Sequence, residues 1–290
     1  MTRPLIDCSL RAAFAAASPG FAAVCNRLGY QAGALGMRCE QTEGLQTANG
    51  FSFDLRTPFT KTVHTTLHGW GEGDSRPVSE MLLQAASGLM SVHGRATGGA
   101  RPLGVDYVST LASVLALQGA IACAVGQLRG GRFERCDISL YAAALLAVGQ
   151  YLAGATAPED TEHLLPGRLC ADEQPPFVSA DGVRFELEAL EAEPWLRFWS
   201  AAGVAREAAG AGWRSFQLRY AKAIAPQPTS LLAAVAALPY ARLCELAGES
   251  GIALCAVRTL TERARDPDAV LLLAQGPWAY SFTDQAEGER

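Results

Sequence analysis

Between Leu111 and Leu128 the chain runs for 18 residues without a charged side chain. Within that run Ala112, Ala116, Ala120 and Ala124 recur at every fourth position. A spacing of four returns to one face of a helix, so the stretch is expected to be a helix with one nearly bulk-free side, open to close packing. Its length reaches the lower limit for crossing a bilayer. It also holds Ser113, Gln118, Gln127 and two glycines, and no aromatic belt flanks it. A helix buried on all sides is therefore expected, with no membrane partner.

Such a helix needs a large core around it. The chain has 290 residues, 49% of them hydrophobic and 18% charged, enough for one large domain or two ordinary ones. Net charge is −5 and no block of lysines or arginines occurs, so a nucleic acid partner is not expected. Small-molecule chemistry is. The eight cysteines (8, 25, 39, 123, 136, 170, 244 and 255) form no C-x-x-C pair and no zinc-type cluster with histidine. Asp7 and Arg11 interrupt the apolar N-terminus, which makes it a poor secretion signal. A cytoplasmic location with reduced thiols follows as the expectation.

Strand and helix signals alternate over the first half. Pro4–Ser9 reads as a strand, Phe21–Leu28 as a helix ending at Gly29, and Met37–Glu40, Phe51–Leu55 and Val63–Leu67 as strands. A glycine turn from Gly69 to Gly73 leads into a helix over Val78–Met90, and a glycine-rich loop spans Gly94–Gly104. After the apolar helix come a strand at Cys136–Leu140 and a helix at Tyr141–Leu152. The alternation predicts an α/β fold with a parallel sheet. Residues 158–176, rich in Pro, Glu, Asp and Thr, read as a linker. Beyond it, a hairpin around Ala180-Asp181-Gly182, helical patterns at 194–202, 211–222 and 229–248, and a strand at 251–257 suggest a small α+β domain. Trp195, Trp199 and Trp213 belong to its core on spacing. The expected layout is a large domain over 1–157, the linker, a small domain over 177–262 and a return segment over 263–290.

One carboxylate stands at the mouth of the apolar helix: Asp106, the only charged side chain between Arg101 and Arg129. By residue type it reads first as an N-cap, a role in which Asp is among the best residues. The other reading is chemical, a nucleophile or proton carrier where helix N–H groups and the positive dipole end would stabilise an oxyanion. His64 and His68 have the four-residue spacing of a helical metal pair, but VHTTLHGW reads as strand and turn, so no metal is expected there. No G-x-S-x-G elbow, Walker loop or dinucleotide-binding glycine fingerprint occurs in its required context.

Two blocks carry a resemblance. GWGEGDSRPVSEMLLQAASGLMSVHG (69–94) resembles the G-F-G…D-R-P-x-x-D…Q-A-x-S-G-L-M run of the family III CoA-transferases, the carnitine dehydratase and bile-acid-inducible group. GVDYVSTLASVLALQGAIACAVGQLRGGRFERCDISLYAAALLAVGQYLAG (104–154) resembles that family's segment bearing the catalytic aspartate, which falls on Asp106. PLIDCS, SFDLRTP, ADG, GWRSFQLR and GIALCAV match more weakly. The resemblance implies a Rossmann-like large domain with an incomplete set of βα units plus a small α+β domain. It implies acyl-CoA and a small carboxylic acid as substrates, coenzyme A as the carried group, and no metal. Asp106 would be the nucleophile, passing through aspartyl anhydride and aspartyl-CoA intermediates. Gly69, Trp70, Gly71, Arg76, Arg95, Gly104 and Tyr107 would bind substrate, with Arg101 a further flanking cation. The family forms interlocked dimers, which implies a homodimer here or a hetero-oligomer with a longer homologue.

The chain departs from the family pattern between Pro58 and His64, where the family has one further βα unit with an Arg-Pro-Gly turn that helps hold CoA. It also lacks the family's glycine-rich shielding loop and its long return into the large domain. Racemases of the same superfamily exchange an α-proton between an aspartate and a histidine or glutamate. Here the histidine's place falls on Ser79 or Glu80, and Glu191 or Glu193 is the candidate second carboxylate. An acyl-CoA α-epimerase and a non-catalytic partner subunit are the alternatives.

Overall fold

The computed structural model describes residues 3–42, 50–156 and 174–281. Two compact units divide the chain, one of residues 1–89, 103–147 and 264–290, the other of 90–102 and 148–263. Residues 158–173 of the expected linker lie outside the described residues, as does Cys170.

The first unit opens with β1 (Ser9–Ala12), α1 (Ala22–Leu35), β2 (Arg38–Gln41), β3 (Gly50–Arg56) and β4 (Val63–His68). Two short helices follow, α2 (Glu80–Ala86) and α3 (Leu89–His93), then α4 (Tyr107–Leu128), β5 (Arg135–Ser139) and α5 (Leu140–Ala147). The five strands lie in the order β2-β1-β3-β4-β5. β1 with β2 and β4 with β5 are parallel, while β3 runs antiparallel to both β1 and β4. The α/β class therefore holds, but the sheet is mixed where a parallel one was expected. The reason is the connection from β3 to β4, only six residues long at 57–62. A parallel crossover needs a dozen or more, so so short a link permits only an antiparallel return.

Three element boundaries also differ from their sequence signals. Pro4–Asp7 forms a turn and β1 begins at Ser9, because its partners set the register: Leu10 stands between Cys39 and Leu55. The first helix passes through Gly29 and ends at Gly36, whose φ of 98° needs a residue free of Cβ strain. The helix expected over Val78–Met90 is broken by Gly88, with φ 85°, into α2 and α3.

α4 organises the core of this unit. Ala112, Ala116 and Ala120 have no exposed surface, and the helix packs against α1, α5, β4 and β5. The alanine face allows this close approach because no side chain longer than a methyl group separates the backbones. Leu10, Phe51, Phe53, Leu55, Val63 and Leu67 of the sheet belong to the same buried core.

The second unit holds α6 (Gly149–Thr156), β6 (Phe177–Val178), β7 (Arg184–Glu188), α7 (Ala192–Ala201), α8 (Arg206–Gln217) and α9 (Arg219–Lys222). It continues with α10 (Thr229–Ala236), α11 (Tyr240–Ser250), β8 (Ala253–Ala256) and α12 (Leu260–Arg263). Its three strands form an antiparallel sheet, β6-β7-β8, with the hairpin at 179–183 as its first turn. Trp195 and Trp199 are fully buried with Phe177, Phe185, Phe198 and Phe216, and Trp213 packs against them half-buried. Trp195 satisfies its Nε1–H on the Ala209 carbonyl at 2.7 Å. The last described helix, α13 (Pro267–Gln275), belongs to the first unit.

Close packing around α4 makes its alanines intolerant of bulk. Ala116→Leu is expected to destabilise the protein by about 1–3 kcal/mol through overpacking. Gln118→Ala, on the exposed side of the same helix, should change stability by less than about 0.5 kcal/mol. Urea unfolding of the two variants checks this, and equal midpoints would contradict a buried alanine face.

Candidate active site

A helix whose core is apolar still begins with N–H groups that lack partners within it. In α4 the local residue placed to take them is Asp106, and it does not: its side chain makes no capping hydrogen bond and is exposed. The cap comes from α2. Glu80 accepts from the Val108 N–H through Oε1 at 2.9 Å and from the Ser109 N–H through Oε2 at 2.9 Å. The Ser109 hydroxyl adds a third bond to Oε2 at 2.7 Å.

Gln84, one turn further along α2 and wholly buried, fixes this carboxylate from behind. Its Nε2 donates to Glu80 Oε1 at 2.8 Å and to the Val105 carbonyl at 3.2 Å, and its Oε1 accepts from the Leu103 N–H at 2.8 Å. The loop that carries Asp106 is thus tied down on both sides of the aspartate, while the aspartate's own carboxylate has no hydrogen-bond partner among the described residues. Val105 and Tyr107, its two neighbours, are 63% and 43% exposed, so an open and partly apolar surface surrounds it.

This arrangement removes the capping role that residue type alone favours for Asp106. It also corrects the expected oxyanion donors. The N–H groups of Val108 and Ser109 are taken by Glu80, and that of Tyr107 points to the Val105 carbonyl at 2.8 Å. Among the described residues, the backbone N–H groups in the first turn of α4 are all taken, and a carboxylate already lies at its dipole end.

Ser79 and Glu80, where a racemase-type base was sought, are both structural caps. Ser79 Oγ accepts from the Leu82 N–H at 3.3 Å at the start of α2. Glu191 and Glu193 stand at the start of α7 in the second unit, Glu193 in a loose ion pair with Arg197 at 3.9 Å. Among the described residues of the first unit, the carboxylate brought up to the Asp106 loop is that of Glu80.

The other candidates form separate groups. Trp70 and Arg76 meet: the guanidinium lies 4.5 Å from the ring centre, and Trp70 Nε1 donates to the Pro77 carbonyl at 3.1 Å. With Leu82, Ala85 and Ala86 they line a shallow depression. On α2, Leu82 and Ala86 project from the side opposite Glu80, by the turn of roughly 100° per residue. Arg76 is held bidentately by Asp74, with Nη2 to Oδ2 at 2.7 Å, and these bonds keep the Asp74 carboxyl below the usual carboxylate range. Gly69 is needed for packing, since a Cβ there would lie 2.8 Å from the side chain of Val78. Gly71 and Gly104 have open space around them. Arg95 sits in the second unit, donating to the Lys222 carbonyl at 3.0 Å and lying over the Tyr151 ring. Arg101, in that unit too, is exposed. Among the described residues no cluster of His, Cys, Asp and Glu has the shape of a metal site.

The roles of Glu80 and Gln84 are not among the expectations from sequence. A signal was present: a glutamine in the middle of MLLQAASG must be hydrogen-bonded if buried, and Glu80 lies one turn before it on the same helix face.

A family model described as CoA-transferase family III matches residues 53–272 of the chain. Among solved structures, Rv3272 from Mycobacterium tuberculosis is similar at 19% identity over 71% of this chain and 55% of that one, with a TM-score of 0.52. A mutant of Rv3272 is similar at 18% identity over 71% and 54%, with a TM-score of 0.53. A CAIB/BAIF family protein from Brucella suis is similar at 13% identity over 71% and 55%, with a TM-score of 0.48. At such identities the likeness to Rv3272 is one of fold. This chain spans about half the length of those structures. No curated protein matches it.

The two carboxylates should separate cleanly in stability. Glu80→Ala is expected to cost about 1–3 kcal/mol, by stranding two helix N–H groups and the Ser109 hydroxyl. Asp106→Ala should stay within about 0.5 kcal/mol of the parent, since its carboxylate caps nothing. Denaturant unfolding of both variants reads the difference, and a larger loss for Asp106→Ala would return the cap to that residue.

Proposed function

Since the chain belongs to CoA-transferase family III, we propose that it moves coenzyme A between an acyl group and a carboxylic acid, with Asp106 as nucleophile. The observation that carries this is the uncommitted, exposed carboxylate at the mouth of α4, on a loop held rigid by Glu80 and Gln84. A carboxylate is a modest nucleophile, so its placement matters: a fixed loop removes orientational freedom that the reaction would otherwise have to restrict.

An oxygen of Asp106 attacks the thioester carbonyl of an acyl-CoA. The C–S bond breaks, the electron pair leaves with the CoA thiolate, and a mixed anhydride joins Asp106 to the acyl group. The thiolate then attacks the aspartyl carbonyl and expels the acyl carboxylate, which leaves CoA on Asp106 as a thioester. An acceptor carboxylate attacks that thioester, forming a second anhydride and freeing the thiolate. Attack of the thiolate on the acceptor's carbonyl gives the new acyl-CoA and restores Asp106. No net proton is consumed, so the scheme needs no separate general base. That agrees with Ser79 and Glu80 both being occupied as caps. The oxyanion formed in each addition has to be met by donors other than the first turn of α4. In this reading Gly104 and Tyr107 face the reacting end of the substrate, and the depression at Trp70 and Arg76 takes a more distant part of CoA.

Intact-protein mass spectrometry after mixing with a panel of acyl-CoAs, quenched with and without hydroxylamine, tests the proposal. An acyl or CoA adduct on the parent protein that hydroxylamine removes, and that Asp106→Ala never forms, is the expected result. Absence of any adduct across the panel would overturn the covalent scheme in favour of a non-catalytic subunit. Exchange of the substrate α-proton with deuterated solvent, without an adduct, would point to an epimerase.

A further inference from the structure

The far end of α4 has an opening that the proposed chemistry does not use. The helix face made by Ile121, Ala124 and Leu128 stands beside Cys8, Met37 and Leu55, and together they bound a cavity of about 210 Å³. Ala124 continues the small-residue face toward the end of the helix, and the segment at Pro4, Leu5 and Asp7 and the β3–β4 connection line the space beside it. Phe59, on that connection, is 81% exposed and stands at the mouth, and Leu128 keeps 62% of its surface exposed. Ala124 lies 18 residues beyond Asp106, about 27 Å along the helix.

The lining selects by charge as well as by size. Among the described residues that line it, the one ionisable acid is Asp7, at the rim, and there is no lysine, arginine or histidine. Cys8, on the floor, is held in its neutral thiol form by burial and, secondarily, by Asp7. At the mouth the Thr57 hydroxyl oxygen accepts from the Phe59 and Thr60 N–H groups and lies 2.7 Å from the Thr60 hydroxyl, which leaves Thr60 Oγ1 as the hydroxyl that can meet a polar substituent. An apolar cavity of roughly 150 Å³ is known to hold benzene. The present one therefore has room for one ring carrying a small substituent.

We propose that this cavity is a binding site for an uncharged monocyclic aromatic molecule with one hydroxyl-type substituent, distinct from the Asp106 site. The ring occupies the space over Ala124 between Met37 and Leu55, the substituent reaches the Thr60 hydroxyl, and Phe59 folds over the mouth. An aromatic carboxylate of the same size is disfavoured, because its charge would be desolvated beside Asp7, while Lys61 and Arg132 line the adjoining surface past Thr60 and Lys61 is paired with Glu134 at 2.7 Å.

Benzyl alcohol and benzoate, equal in ring and opposite in charge, are the probes. Ligand-observed NMR titration of the full chain should show saturable binding of benzyl alcohol, with benzoate weaker by more than about tenfold. Ala124→Leu, which fills the cavity, should abolish binding. Phe59→Ala, at an exposed position that the fold does not need, should weaken it and serves if the first variant does not fold. Asp106→Ala should bind benzyl alcohol as the parent does, which keeps this test separate from the transferase reading. No saturable binding by the parent, equal binding of benzoate, or binding untouched by both cavity variants would overturn the proposal.

Discussion

The carboxylate of Glu80 holds the start of α4, and much of the first unit depends on it. An apolar helix of 22 residues cannot leave its first N–H groups unpaired beside a core, and the usual remedy is the residue just before the helix. Here the remedy comes from another helix. That exchange has two consequences that belong together. It ties α2, the loop at 103–106 and α4 into one hydrogen-bonded assembly through Gln84. It also releases Asp106, whose carboxylate can stay exposed without destabilising the helix it precedes. A side chain with a structural duty cannot also form and break bonds freely, so the division of labour between Glu80 and Asp106 permits chemistry at this position.

The rest of α4 follows a second constraint, the lack of side-chain bulk along its alanine face. Small residues let the helix lie close to its neighbours, and Leu10, Phe51, Phe53, Leu55 and Val63 join it in one buried core. The same smallness becomes a gap where no neighbour comes close. The β3–β4 connection is too short for a parallel crossover. The brevity of residues 57–62 makes the sheet mixed, and the same connection forms one wall of the open cavity at Ala124.

The sequence alone carried the existence of α4, the strands at 51–55 and 63–67, the hairpin at 179–183 and the aromatic core of the second unit. Each rests on a periodicity or a turn residue read within a few positions. Asp106 was legible for a similar reason, as one charge in a long uncharged run, and its family came from the blocks at 69–94 and 104–154. Strand β1 was misplaced by several residues and the first helix ended too early at Gly29, because a boundary depends on which partner pairs with Leu10 and which glycine must adopt positive φ. Strand direction is not legible in the alternation of strands and helices, because it is the six-residue link at 57–62 that makes β3 antiparallel to β4.

Local pattern thus determined which segments are helical, which are extended and where an unusual carboxylate stands. Tertiary structure decided whether that carboxylate is committed to capping the helix. Whether Asp106 caps α4 or stands free turns on Glu80, 26 residues earlier, and no local signal can say that a distant side chain has taken two N–H groups first. Capping is a competition between donors and acceptors in space, and its outcome is set by how α2 packs on α4. Burial of the alanine face, the direction of β3 and the cavity at the far end are decided in the same way, by which elements meet.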